Sequence, residues 1–180
     1  MNGIRAIETH YRGYRFRSRT EARWAVFFDT LGIRWEYEKQ GYDLPTGPYL
    51  PDFWLPDQGY WIEIKGTPPT EREEALCSEL ASATGSPVYL HVGNPEQMGW
   101  GTDWPDTAST FVGWSVDHWD NAQWWCECPF CDAVGIQFEG RAARLCSCED
   151  GDKGYGFHTR RLTAAYAAAR SARFEHGETP

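Results

Sequence analysis

Two runs decide the fold: Tyr49-Leu50-Pro51-Asp52-Phe53-Trp54-Leu55 and, across a short gap, Tyr60-Trp61-Ile62-Glu63-Ile64-Lys65. Both are dense in aromatic and aliphatic residues, which predicts strands. Pro56 ends the first run, and Asp57-Gln58-Gly59 supplies a turn. The two therefore read as a hairpin. Pro51 has no N–H to donate, so the first strand lies at an edge or starts its pairing late. Along the second strand side chains alternate, placing Ile62 and Ile64 on one face and Glu63 and Lys65 on the other. The Cα atoms of Glu63 and Lys65 are then about 7 Å apart. Asp52 stands eleven residues before Glu63, and the hairpin brings the two close.

The flanking sequence extends this pattern. Tyr-Arg-Gly-Tyr-Arg-Phe-Arg at 11–17 interleaves aromatic and basic residues around a glycine, predicting a short strand or hairpin. Ser18-Arg19-Thr20-Glu21 reads as a capping box opening a helix with apolar Ala22, Trp24, Ala25, Phe27, Phe28 and Leu31, closed by Gly32. Residues 33–38 read as a strand. After the hairpin, Pro68 and Pro69 precede a second capping box, Thr70-Glu71-Arg72-Glu73, with Gly85 at the helix end and a buried-looking strand over 88–92. The order helix, strand, hairpin, helix, strand predicts an α/β core over residues 1–93, a mixed sheet flanked by helices.

Two carboxylates and a lysine on adjacent strands suit metal-assisted hydrolysis. Asp52, Glu63 and the backbone carbonyl of Ile64 are hard oxygen donors for Mg²⁺ or Mn²⁺. Lys65 can hold water or stabilise charge on phosphorus. Simpler roles exist for each residue: a strand-face salt bridge for Glu63 and Lys65, a turn for Asp52, a cap for Glu21. Pro51-Asp52 with Glu63-Ile64-Lys65 resembles the signature of the PD-(D/E)XK nuclease superfamily. That family commonly places an acidic residue on a preceding helix, a position Glu21 fits. The opening Arg-Ser-x-x-Glu-Ala-Arg-Trp (17–24) is similar to that of small phage and prophage proteins. The resemblance covers the first half of the chain. It implies a restriction-endonuclease-like core, a divalent-metal-dependent nuclease with Glu21, Asp52, Glu63 and Lys65 as catalytic residues, and DNA as substrate. A core of this kind that has lost catalysis and binds nucleic acid or a host protein is the alternative expectation.

From residue 94 the character changes. Trp100, Trp104, Trp114, Trp119, Trp124 and Trp125 fall among glycines and aspartates, and the acidic neighbours favour packing over base stacking. Cys128-Pro129-Phe130-Cys131 followed by Cys146-Ser147-Cys148 has the layout of a zinc ribbon, with Cys126 as a substitute fifth thiol. Four thiolates leave no open position, so the predicted Zn²⁺ is structural. Residues 136–138 and 143–145 are the expected ribbon strands. The Trp-rich segment and ribbon are assigned to residues 94–157, and a C-terminal helix over 162–174 to a final segment, 158–180. Cys77 and His91 are expected to be core residues, and His158 is a minor alternative zinc ligand.

The net charge of −9 over 180 residues argues against a purely electrostatic nucleic-acid partner, but it is unevenly spread. Residues 1–40 carry eight Arg or Lys against five Asp or Glu, whereas 41–157 carry five against nineteen. Arg12, Arg15, Arg17, Arg19 and Arg23 are therefore the candidates for phosphate contact. The acidic, Trp-rich middle admits a basic protein partner, from the host or a phage. With no apolar leader or membrane-length run, a cytoplasmic protein without a membrane partner is expected. Nothing marks an interface, although nucleases that cut both strands often act as dimers.

Overall fold

The computed structural model describes residues 7–96, 123–138, 140–148 and 153–174. The chain is mixed α/β, and its described parts hold three helices. A first hairpin, β1 (Thr9–Tyr11) and β2 (Tyr14–Phe16), leads into α1 (Arg19–Leu31). Ser18 caps α1 by accepting from the Glu21 N–H, and Gly32 closes it in the left-handed conformation. The capping box predicted there is only half formed. The Glu21 carboxylate accepts from the Arg17 N–H and is drawn to Tyr37 instead of the Ser18 backbone.

The expected strand over 33–38 is reduced to β3 (Glu36–Tyr37). Ile33 gives its N–H to Phe28 as part of the closure of α1, so it is not free to pair. The expected strand through Tyr49 to Leu55 is two strands. The first, β5 (Gly47–Tyr49), pairs with β4 (Tyr42–Leu44) in a small hairpin. The second, β6 (Phe53–Leu55), joins the central sheet. The break falls at Pro51, where no N–H exists to continue a ladder.

The central sheet runs β3–β6–β7–β8, with β7 (Tyr60–Lys65) and β8 (Val88–Val92) in the middle and at one edge. Neighbours β3, β6 and β7 are antiparallel, whereas β7 and β8 are parallel, joined by the crossover helix α2 (Glu71–Thr84). The Thr70/Glu73 capping box is complete, and Gly85 closes this helix as predicted. The two faces of the sheet are buried against different helices. Ile62, Ile64 and Tyr89 share a core with Phe27, Phe28 and Leu31 of α1. Trp61, Val88, Leu90 and Val92 pack against Leu76, Cys77 and Leu80 of α2. Strand β7 is thus covered on both sides, as its near-continuous apolar run requires.

The remaining segments join the first of these cores. Strands β9 (Gln123–Glu127) and β10 (Val134–Phe138) form an antiparallel hairpin, and α3 (Arg160–Ser171) lies along α1. Trp125 meets Phe27 at 5.5 Å and Tyr166 meets Phe27 at 4.7 Å between ring centres. Packing therefore runs across the sequence divisions placed at 94 and 158. The ribbon strands differ from expectation. The partner of 134–138 is β9, and Ala142–Arg144 forms a single 3₁₀ turn. Its residues, Ala-Ala-Arg, favour helical over extended backbone. The C-terminal helix begins at Arg160, earlier than expected, because Thr159 caps it. The tryptophans from 100 to 119 and the acidic stretch 149–152 lie outside the described residues.

Candidate functional site

Because β6 leaves its ladder at Pro51, the Ile64 N–H that would have faced a backbone partner there faces Asp52 instead. Asp52 Oδ2 accepts it at 2.8 Å, and the Asp52 N–H donates to Glu63 Oε2 at 3.2 Å. The two carboxylates are thereby locked to each other's strands, both nearly fully buried. A strand residue's N–H and C=O point to the same side, so the Ile64 carbonyl also faces Asp52. Lys65 lies beside Glu63, as alternation predicted, with Nζ 2.8 Å from Glu63 Oε1 and 3.1 Å from Glu73 Oε1. Glu21 sits on the first turn of α1, buried, receiving Tyr37 Oη at 2.5 Å and Ser18 Oγ at 2.6 Å.

The electrostatics follow from this crowding. Burial, then the charges of Glu63 and Glu21, push the Asp52 carboxyl well above the usual carboxylate range, against the opposing pull of the Ile64 amide and Arg17. Burial alone would lower the Lys65 ammonium, but Glu63, Glu73 and Asp52 more than offset it and raise it above its ordinary value. Lys65 is therefore a cation at neutral pH. Tyr49, pressed against Glu63 and Cys77, is held in its neutral form by burial and these neighbours.

Two further residues join this cluster: Arg17, expected only as a phosphate contact, and Glu38, which nothing in the sequence singled out. Arg17 donates from Nη2 to Asp52 Oδ1 at 2.9 Å and from Nε to Glu38 Oε1 at 2.7 Å. Glu38 has φ +46°, a left-handed conformation unusual for glutamate, and its N–H donates to the Asp52 carbonyl at 2.8 Å. The basic stretch is divided by its partners. Arg12 pairs with Asp29 and Arg15 with Glu8. Arg19 and Arg23 have no acidic partner among the described residues. Arg23 reaches Asn94 Oδ1 at 3.2 Å, and the neighbouring Gly93 donates its N–H to the Lys65 carbonyl.

Four thiols meet at the second site. The Sγ atoms of Cys128, Cys131, Cys146 and Cys148 all lie within 4.8 Å of one another and can bind a metal such as zinc. Separations of 3.5 Å (Cys128 to Cys148) and 3.2 Å (Cys131 to Cys146, Cys146 to Cys148) are too long for a disulfide. They approach the roughly 3.8 Å expected between thiolates on one tetrahedral zinc. The first pair sits on a tight turn in which the Cys128 N–H bonds to the Ala133 carbonyl and Asp132 takes φ +57°. The second pair follows the 3₁₀ turn, and Lys153 Nζ reaches both the Cys146 carbonyl (2.5 Å) and its Sγ (3.3 Å). The Cys148 amide and the adjacent thiols hold Cys146 down to about 6, and Cys146 in turn pushes Cys148 up to about 12. Such crowding is relieved by a cation.

Cys126 does not substitute for any of the four. It points into the core from β9, where burial raises its thiol to about 12. His158 is outside the quartet, with its ring against Phe157. Cys77 and His91 are core residues, as expected; His91 stacks on Trp24 at 4.5 Å. Among the described residues, only these four cysteines form a group of three or more Cys, His, Asp or Glu ligand atoms close enough for one ion. Glu21, Asp52 and Glu63 do not converge as tightly. No described helix is long and apolar enough to cross a membrane. No family model matches this sequence, and no curated protein or solved structure matches it.

Proposed function

We propose that the chain is a divalent-metal-dependent nuclease with a restriction-endonuclease-like core, hydrolysing phosphodiester bonds in DNA. The observation that carries this reading is the burial of Asp52 and Glu63 in reciprocal contact across two strands, with Lys65 beside them. A strand-face salt bridge that served stability alone would lie in solvent, because burying two carboxylates together costs several kcal/mol (roughly). Retaining that cost in one place favours a site that binds positive charge.

The donor set fits Mg²⁺ or Mn²⁺: the Asp52 and Glu63 carboxylates and the carbonyl of Ile64 are hard oxygens. A cation held there supplies charge neutralisation at a phosphoryl oxygen and acidifies water. The protein's own residues do the positioning. The Ile64 amide fixes Asp52, and Glu73 and Glu63 fix Lys65. As a permanent cation, Lys65 donates hydrogen bonds to water or to the phosphate and does not accept a proton. Glu21, locked by Tyr37 and Ser18, supports the site from α1. Arg19 and Arg23, without acidic partners among the described residues, are the better candidates for the DNA backbone than Arg12 or Arg15.

A second reading is favoured by a specific observation. All four oxygens of Asp52 and Glu63 already accept from protein donors, which suits a retired site in a nucleic-acid- or protein-binding scaffold. Incubation with supercoiled, linear and single-stranded DNA in Mn²⁺, Mg²⁺ or EDTA separates the two. Metal-dependent cleavage is expected, with a loss of at least about 100-fold in Lys65→Ala and Asp52→Ala. Absence of cleavage on every substrate, with DNA binding retained in both variants, would favour the scaffold.

A further inference from the structure

The geometry points to Arg17 as a gate on the carboxylate site: a guanidinium that rests on Asp52, yields that place to a divalent cation, and then serves the substrate phosphate while still anchored to Glu38. This inference rests on the nuclease reading and adds a residue and an order of events to it.

The two oxygens of Asp52 are held unequally. Oδ2 is bound by the Ile64 amide, part of the central strand and unable to leave. Oδ1 is bound by the end of a long side chain that is more than half exposed. Asp52 itself is nearly inaccessible, so a cation approaching Oδ1 meets Arg17 first. The backbone of Arg17 is pinned where its N–H donates to Glu21 Oε2 and to Tyr37 Oη, each at 3.2 Å. Movement is therefore confined to the side chain.

Glu38 gives the guanidinium a second support. It takes Nε and leaves the terminal nitrogens to other partners. The left-handed φ of this residue, a conformation disfavoured for glutamate, is maintained next to the N–H bond that ties it to Asp52. Among the described residues, the cations paired with Glu38, Asp52, Glu63 and Glu73 in this cluster are Arg17 and Lys65, set against five acids once Glu21 is counted. Release of Arg17 from Asp52 thus strengthens the attraction for a divalent ion. A fork-shaped guanidinium anchored at one nitrogen can still make a two-point contact with a phosphate.

The test is a calorimetric Mn²⁺ titration of wild type, Arg17→Met, Arg17→Lys and Asp52→Asn, paired with duplex binding in Ca²⁺. Arg17→Met should bind Mn²⁺ about five- to tenfold more tightly than wild type and bind duplex about five- to tenfold more weakly. A merely structural Arg17 would weaken both together. Arg17→Lys retains the charge and the fold but cannot bridge two acids with one planar fork, so its Mn²⁺ affinity should fall between wild type and Arg17→Met. Mn²⁺ uptake that depends on Asp52 but is unchanged or weakened in both Arg17 variants would overturn the gate alone. Absence of Asp52-dependent uptake in every protein would overturn the metal-site reading and the gate with it.

Discussion

Asp52 and His91 are both buried and titratable, and the fold biases them in opposite directions. Burial holds His91 down to about 3, with Trp24 and Trp125 stacked around the ring and no partner for its Nε2 among the described residues. A depressed folded value means that the unfolded chain takes up the proton more readily. The stability tied to a neutral His91 is thus complete above about pH 6.5 and lost as pH falls towards 3. The full effect is on the order of 5 kcal/mol. His91→Phe keeps a ring against Trp24, and its denaturant-measured stability should fall less between pH 6.5 and 4 than that of wild type. Equal slopes would show that His91 is not the acid-sensitive group. Asp52, raised by burial and its acidic neighbours, works the other way, gaining stability for the fold as pH falls toward its ordinary range. At this scale Asp52, Glu63 and Lys65 were legible, because strand alternation and hairpin spacing dictate their company. Glu38 was not, because its place depends on a left-handed backbone that glutamate does not signal. Arg17 could not be told from its four basic neighbours, because its partner is 35 residues away.

Elements were legible where local chemistry speaks twice. The second helix has a capping box at one end and a glycine at the other, and both limits held. Strands were harder. Pro51 announced a break, but only the small hairpin of β4 and β5 gives the residues before it somewhere to pair. The strand β9 was hidden in a tryptophan-rich stretch whose composition fits packing of any kind. Its far end is fixed by Gly156, whose carbonyl accepts the Glu127 N–H at 3.0 Å. A Cβ on Gly156 would stand 2.2 Å from the Glu127 carbonyl oxygen. Gly156→Ala should therefore push the 153–158 segment off β9 and lower stability by about 1–3 kcal/mol, read from urea unfolding. An unchanged midpoint would mean that this segment does not hold β9.

At the scale of the whole molecule, Arg161 adds a polar bridge between the cysteine site and the core that α1 shares with the hairpin. Arg161 on α3 donates to Glu127 Oε1 and the Asp132 carbonyl, each at 2.9 Å, and also to the Leu31 carbonyl at the end of α1. Arg161 thus touches the cysteine turn, the hairpin below it and the helix bearing Glu21 at once. One zinc per chain is expected by elemental analysis, and Cys131→Ser/Cys146→Ser should abolish it. Removing the metal with a chelator should lower the thermal midpoint by about 10 °C or more and change the Trp fluorescence, since Trp125 lies on the affected hairpin. A metal-free protein with an unaltered midpoint would detach the thiols from the stability of the core. The sequence separated these parts into three regions because composition changes at residue 94. Composition does not reveal that Trp125, Ile136 and Leu162 enter the same core as Phe27 and Phe28.

The bond from Arg161 to Leu31 spans 130 residues of chain. During synthesis the first long helix therefore emerges far ahead of its last partner and must wait for it, a late step of the kind that sets folding speed. The helix that carries Glu21 gains this cover only when α3 has left the ribosome, and a chain abandoned before that point is released with the α3-facing side of α1 bare.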